Sequence, residues 1–200
     1  MNKPSNYENV SLSEDFVPVN PGGHHMIIKQ VKEQKSQSGK DMLVVAVDFA
    51  PNDVQPLYFS KLFESDTRAD KKWPRAGKIY VVSTDANGQC SRNFKTFITS
   101  FEHSNNTQVQ WIEGPAFVNQ FANKRIGGVY GIVEEEYNGE RKKRCLHRWF
   151  CDDAKAMDAK VPEERLMDGN KPARTAAATP AASGNVPDGF QTVNGEQIPF

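Results

Sequence analysis

The sequence predicts a mainly β domain with inserted helices, an α+β fold, and three observations carry that reading. Apolar residues alternate at period two in several short segments. One segment alone carries a long helical stripe, and Asn138-Gly139, a strong hairpin signal, sits between two strand-like runs. The chain has 200 residues, enough for one ordinary domain with tails. It is 38% hydrophobic with 12 Phe, which suffices for one core, while a mean hydropathy of −0.65 leaves part of the chain outside it.

Taken in order, residues 1–20 are polar and read as an arm. His24 to Gln34 alternates as a strand, Ser36 to Lys40 is turn chemistry, and Met42 to Ala50 is a Val-rich, more deeply buried strand. Together they make an antiparallel hairpin. Leu57 to Phe63 reads as a third strand, residues 64–77 as a loop or short helix, and Lys78 to Thr84 as a further strand. Ser91 to Ser104 is the clearest helix, because Phe94, Phe97, Ile98 and Phe101 fall on one stripe and read as core. Asn105-Asn106 stops it. Residues 114–122 read as a short helix that tolerates Pro115 in its first turn. Ile126 to Tyr137 and Glu140 to Cys151 form the last hairpin, and residues 152–160 read as a short helix capped by Asp153. Lys171 to Pro187 is nearly all Ala, Pro, Thr, Ser, Asn and Gly. Such a segment buries too little apolar surface to offset chain entropy and is expected to be disordered. The boundaries are therefore an arm over 1–20, a domain over 21–165 and a tail over 166–200.

Composition excludes several classes. No run approaches ~18 apolar residues, so no membrane span is expected, and Met1 to Val19 has neither the basic end nor the apolar run of a signal peptide. Three unevenly spread cysteines argue against a disulfide framework and for a reducing, cytoplasmic compartment. Cys145-x-His147-x-x-x-Cys151 collects zinc-ligand types, but no C-x-x-C pair accompanies it. It reads as a strand with two semi-buried thiols and one rim histidine, and neither metal nor cofactor is expected. The formal net charge is zero, yet Pro21 to Trp149 carries about +5 and both ends are acidic. A basic middle suits a domain that binds anions.

About five strands with a helix before the last hairpin fit a partly open Greek-key barrel of the OB type, which binds oligonucleotides across a strand face and neighbouring loops. A single-strand binder needs a positive groove for phosphates and aromatic faces for bases. Lys29, Lys61, Arg125, Arg141, Lys142, Lys143, Arg144 and Arg148 are the candidate cations. Tyr58, Tyr130, Tyr137 and Trp149 are the candidate stacking platforms. Along the last strand, Arg141, Lys143, Cys145, His147 and Trp149 share one face, and Lys142, Arg144, Leu146, Arg148 and Phe150 the other. Both faces are charged, so the pattern leaves their assignment open. Glu134-Glu135-Glu136 reads as a solvated strand end, placed to pair with the basic run across the hairpin. Trp73 and Trp111 read as packing residues at the barrel ends.

Several short stretches in fixed order resemble a family of Gram-positive phage proteins described as single-stranded-DNA-binding. They are Asp70-Lys71-Lys72-Trp73, Asn93 to Phe97, Glu102 to Asn105, Trp111, Lys124 to Gly128, and Glu135 to Gly139. The resemblance implies an OB-type fold and a role in phage DNA replication or recombination. The end of the chain, Ile198-Pro199-Phe200, is similar to the tip of bacterial single-stranded-DNA-binding proteins, where it follows an acidic run. Here only Glu196 and the more distant Asp188 supply acid. The resemblance implies that Glu196, Ile198, Pro199 and Phe200 recruit replication or recombination proteins through an apolar pocket with a basic rim.

No phosphate-cradling loop, zinc-protease motif or nucleophile elbow is present, and the adjacent His24 and His25 point to opposite faces of a strand. The expectation is a non-enzymatic, sequence-tolerant binder of single-stranded DNA. The alternatives are an adaptor that binds proteins through its tail without binding DNA, and an RNA binder.

Overall fold

The computed structural model describes residues 17–167 together with 2, 3, 5 and 7. Strands β1 (Gly22–Lys35), β2 (Asp41–Phe49), β3 (Lys78–Val82), β4 (Arg125–Tyr137) and β5 (Glu140–Cys151) form one antiparallel sheet in the order β3-β2-β1-β4-β5. The edge strands β3 and β5 do not pair, so the barrel is partly open. Helix α1 (Tyr58–Ser65) follows β2. Helix α2 (Arg92–Asn105) follows β3 and packs on β3, β4 and β5, and α3 (Pro115–Asn119) precedes β4. This is the expected α+β, OB-type architecture. Among the described residues, no helix is long and apolar enough to cross a membrane. Of the expected tail over 166–200, the part from 168 onward, including Glu196, Ile198, Pro199 and Phe200, lies outside the described residues, as does most of the arm.

Local chemistry fixes the ends of the elements. Ser91 caps α2 by accepting from the Phe94 amide at 3.1 Å, and Asn106 closes the helix in the left-handed region at φ 47°. Asn138 and Gly139, at φ 52° and 77°, make the tight turn of the β4–β5 hairpin. The expected strand over Leu57 to Phe63 is instead α1. A short apolar run fits either period, and the tertiary setting decides. Leu57 turns the chain at φ 54°, and the buried Asp48 carboxylate of β2 accepts from the Phe59 amide at 2.8 Å, satisfying a first-turn donor. The expected helix over 152–160 shrinks to a 3-10 turn at Asp153–Lys155.

Two aromatic groups fill the core. Phe49 stacks on His24 at 4.0 Å and meets Phe59 and Tyr130 at 4.9 and 5.3 Å. Phe97 and Phe101 of the α2 stripe meet Phe121, and Phe97 also meets Phe150. Each such ring contributes about 2–3 kcal/mol by leaving water. Trp73 is buried as expected, with its indole donating toward the Val47 and Gly77 carbonyls.

Two bulges change the parity of their strands. In β1, Ile28 pairs with Val47 and Gln30 with Ala46, so Lys29 is the extra residue. Met26 and Ile28 therefore point inward before the bulge and Val31 after it. In β5, His147 pairs with Tyr130 and Trp149 with Val129, leaving Arg148 unopposed. Cys145 and Phe150 consequently both face the core, while Trp149 lies outside. That answers the question the alternating pattern left open.

After β5 the chain runs back as a strap over the outer face of β1 and β4. Arg165 bonds along the otherwise free edge of β4, accepting from the Glu134 amide and donating to the Ile132 carbonyl. Glycine makes the close approach possible. A Cβ on Gly23 would lie 1.6 Å from the Ala156 carbonyl oxygen, and one on Gly131 would lie 2.4 Å from Pro162 Cγ. Gly23→Ala is therefore expected to lift the strap and destabilise the domain by about 1–3 kcal/mol. Urea unfolding followed by circular dichroism measures this, and an unchanged midpoint would mean that the strap adds nothing to stability.

Candidate nucleic-acid interface

The outer face of β1, β2 and β3 is built by alternation. In β3, Ile79 and Val81 enter the core, which sends Lys78, Tyr80 and Val82 outward. Register aligns these with residues of the neighbouring strands, of which Val44 and Ala46 are themselves buried. Lys32, Val44 and Tyr80 form one cross-strand row, and Gln30, Ala46 and Lys78 the next. Tyr80 is 54% exposed. Burial, and then the nearby charges of Lys72 and Lys32, pull the Lys78 ammonium below its ordinary range. Burial raises the Tyr80 phenol, partly offset by the cation of Arg75. Arg75 thus lies near the Tyr80 ring, Lys32 shares its cross-strand row, and Lys72 lies near Lys78.

Beside Tyr80 lies a shallow groove of about 360 Å³, lined by Tyr80, Val82, Ser91, Arg92 and Asn93. The β1–β2 loop lies near one end of the face, where the Lys40 ammonium bonds the Asp85 carbonyl. The β4–β5 hairpin reaches the start of β3, where Arg75 pairs with Glu135 at 2.7 Å.

The cations and rings expected from the sequence do not share one surface. Arg125 starts β4, and there it pairs with Asp153 at 3.1 Å and bonds Asn52. Twelve residues of extended strand, roughly 40 Å, separate it from Tyr137 at the hairpin tip. Lys29 is half-buried at its bulge, and Lys61 is exposed on α1. The Tyr58 hydroxyl donates to the Val17 carbonyl at 2.7 Å, pinning the arm. Trp149, 39% exposed, sits well down β5 from Tyr137, which is 63% exposed.

Tyr130 requires a correction. Its side chain is fully buried among His24, Phe49 and Phe59, with the hydroxyl donating to the Ala76 carbonyl, so it has no face for a base. Inward parity in β4 put it there. Trp111, expected to pack, does meet Phe94 and Phe117, yet it is 67% exposed.

The basic run on β5 meets acid. Glu134, Glu135 and Glu136 stand directly opposite Lys143, Lys142 and Arg141. Lys142 pairs with Glu140, and Glu164 of the strap binds Lys143 at 2.7 Å and holds its pKa above the ordinary value. The field of Arg141, Lys142, Lys143 and Arg144 is correspondingly reduced, and Arg148 is half-buried with a guanidinium bond to the Glu163 carbonyl.

The sequence motif Cys145-x-His147-x-x-x-Cys151 is spread over two environments. The His147 ring, expected at the rim, instead packs between Tyr130 and Phe150, and burial pushes it down to about 3. Burial pushes the Cys145 and Cys151 thiols up to about 11.

Sequence reasoning passed over Tyr80, Lys78, Lys32, Lys72 and Arg92. The signal was present in Lys78-Ile79-Tyr80-Val81-Val82, where alternation around two core residues exposes a lysine and a tyrosine together. No protein-family model matches this chain, and no curated protein sequence matches it.

Proposed function

We propose that this chain binds single-stranded DNA on the outer face of β1, β2 and β3, without covalent chemistry and with little sequence preference. The observation that carries the reading is the row of Lys32 and Tyr80 across three strands, with Lys72, Lys78 and the Glu135-paired Arg75 nearby. An exposed ring among them offers a stacking surface that any base can use. The OB-type topology adds support, because such barrels take oligonucleotides on the face of strands 2 and 3 between the β1–β2 and β4–β5 loops. The resemblance to phage single-stranded-DNA-binding proteins favours DNA over RNA and a place in phage replication or recombination, in the cytoplasm of a bacterial host. In this reading Ile198-Pro199-Phe200 recruits partner proteins.

Fluorescence anisotropy with a labelled oligo-dT of ~30 nucleotides, at two salt concentrations and beside duplex DNA, tests the proposal. The expected result is salt-sensitive binding to the single strand, weaker binding to duplex, and little change on truncation to residues 1–170. Absence of binding at low salt would sink the reading and favour a protein adaptor that acts through its tail.

A further inference from the structure

We infer that the bound strand continues from Tyr80 past the first turn of α2 onto Trp111, which stacks a second base; this rests on the strand-face reading above. Trp111 is the most exposed large hydrophobic residue among those described, at 67%. It is nevertheless held by its neighbours. Its ring is stacked on Phe117 at 5.6 Å and 26°, and it meets Phe94 at 6.2 Å. Phe117 itself is buried against Phe121. A tryptophan backed by core rings keeps its orientation while its free surface stays in water. Such a ring can accept a base with little further ordering.

Continuity with the groove identifies the occupant. Arg92 and Asn93 line the same hollow as Tyr80, and Phe94, the next residue, touches Trp111. Arg92 to Phe94 covers two helical steps, about 3 Å of rise, so a cation lies beside the path from the first ring to the second. An extended polyanion bearing flat bases matches that sequence of ring, cation and ring.

Length dependence tests the inference with the full chain. Oligo-dT of ~4 to ~16 nucleotides is titrated into wild type, Trp111→Ala, Trp111→Phe, Trp149→Phe and Tyr80→Ala, with intrinsic tryptophan fluorescence read in parallel. Trp111→Ala is expected to bind the shortest oligomers like wild type and the longer ones roughly tenfold more weakly, the scale of one lost stack. DNA quenching of fluorescence should fall in Trp111→Phe and persist in Trp149→Phe, while Trp111→Phe retains most of the affinity. If Tyr80→Ala weakens binding but Trp111→Ala matches wild type at every length, the second stack is wrong and the strand face stands. If Trp111→Ala weakens all lengths equally, Trp111 is not an extension of the path and the inference falls. If Tyr80→Ala leaves binding untouched, the strand-face reading falls and takes this inference with it.

Discussion

Tyr80→Ala is expected to weaken binding of single-stranded oligo-dT by about 1–3 kcal/mol, several-fold to roughly a hundredfold, without unfolding the domain. The separation of the two effects follows from the position of the ring. Tyr80 is 54% exposed on an edge strand, while its neighbours Ile79 and Val81 carry the packing of β3. Its loss removes a stacking surface and little core area. Tyr80→Phe should bind nearly as wild type, because a base stacks on the ring rather than the hydroxyl. Tyr130→Ala provides the contrast. That ring is fully buried and its hydroxyl bonds the Ala76 carbonyl, so the expected loss is one of stability, about 3–5 kcal/mol. Anisotropy and thermal melting on the three variants distinguish these outcomes. A Tyr80→Ala protein that binds as wild type would remove the strand face from consideration.

Asp53→Ala is expected to cost about 3–5 kcal/mol, roughly 10 °C in Tm, because it leaves a buried histidine facing an empty position. His24 is 1% exposed and stacked on Phe49. Its Nδ1 lies 2.9 Å from Asp53 Oδ1 and its Nε2 lies 2.9 Å from the Asn20 carbonyl, so an oxygen faces each ring nitrogen. Asp53 also accepts from the amides of His25 and Gln55. Burial alone would raise its pKa, but the bond from His24, the two amides and the His24 charge together bring it below 3.8. A carboxylate depressed in the folded state stabilises the fold above its unfolded pKa. That contribution is lost as pH falls through the folded value. Wild type should therefore lose stability below about pH 4. In Asp53→Asn the part of that slope due to Asp53 should vanish, and an undiminished slope would show that other carboxylates govern acid unfolding. The same bonds hold the arm, since Gln55 also bonds the Pro18 carbonyl and the Asn20 amide.

Much of the architecture was legible in the sequence. The strand expected over Met42 to Ala50 is Asp41–Phe49, the helix expected over Ser91 to Ser104 is Arg92–Asn105, and Asn138-Gly139 turns the hairpin. These segments are long or carry turn residues with one physical meaning. Leu57 to Phe63 was not legible, because its helix depends on the Asp48 carboxylate contributed from another strand. The candidate site was harder to read. Counting lysines and arginines along β5 found the densest basic run, but register sets three glutamates against it. The bulges at Lys29 and Arg148 reversed parity in two strands, and no local pattern announced them. The row of Lys32 and Tyr80 exists only once β1, β2 and β3 are paired.

The strap has a consequence for how the molecule comes into being. A chain made from its N-terminus offers β1 through β5 for pairing before Ala156 and Pro162 exist to cover Gly23 and Gly131. Every strand can be present while the outer face of β1 and β4 still faces water. The last stretch of the domain to be synthesised thus acts as a latch. A boundary drawn at Cys151, where the sheet ends, would yield a protein with all its strands and no closure.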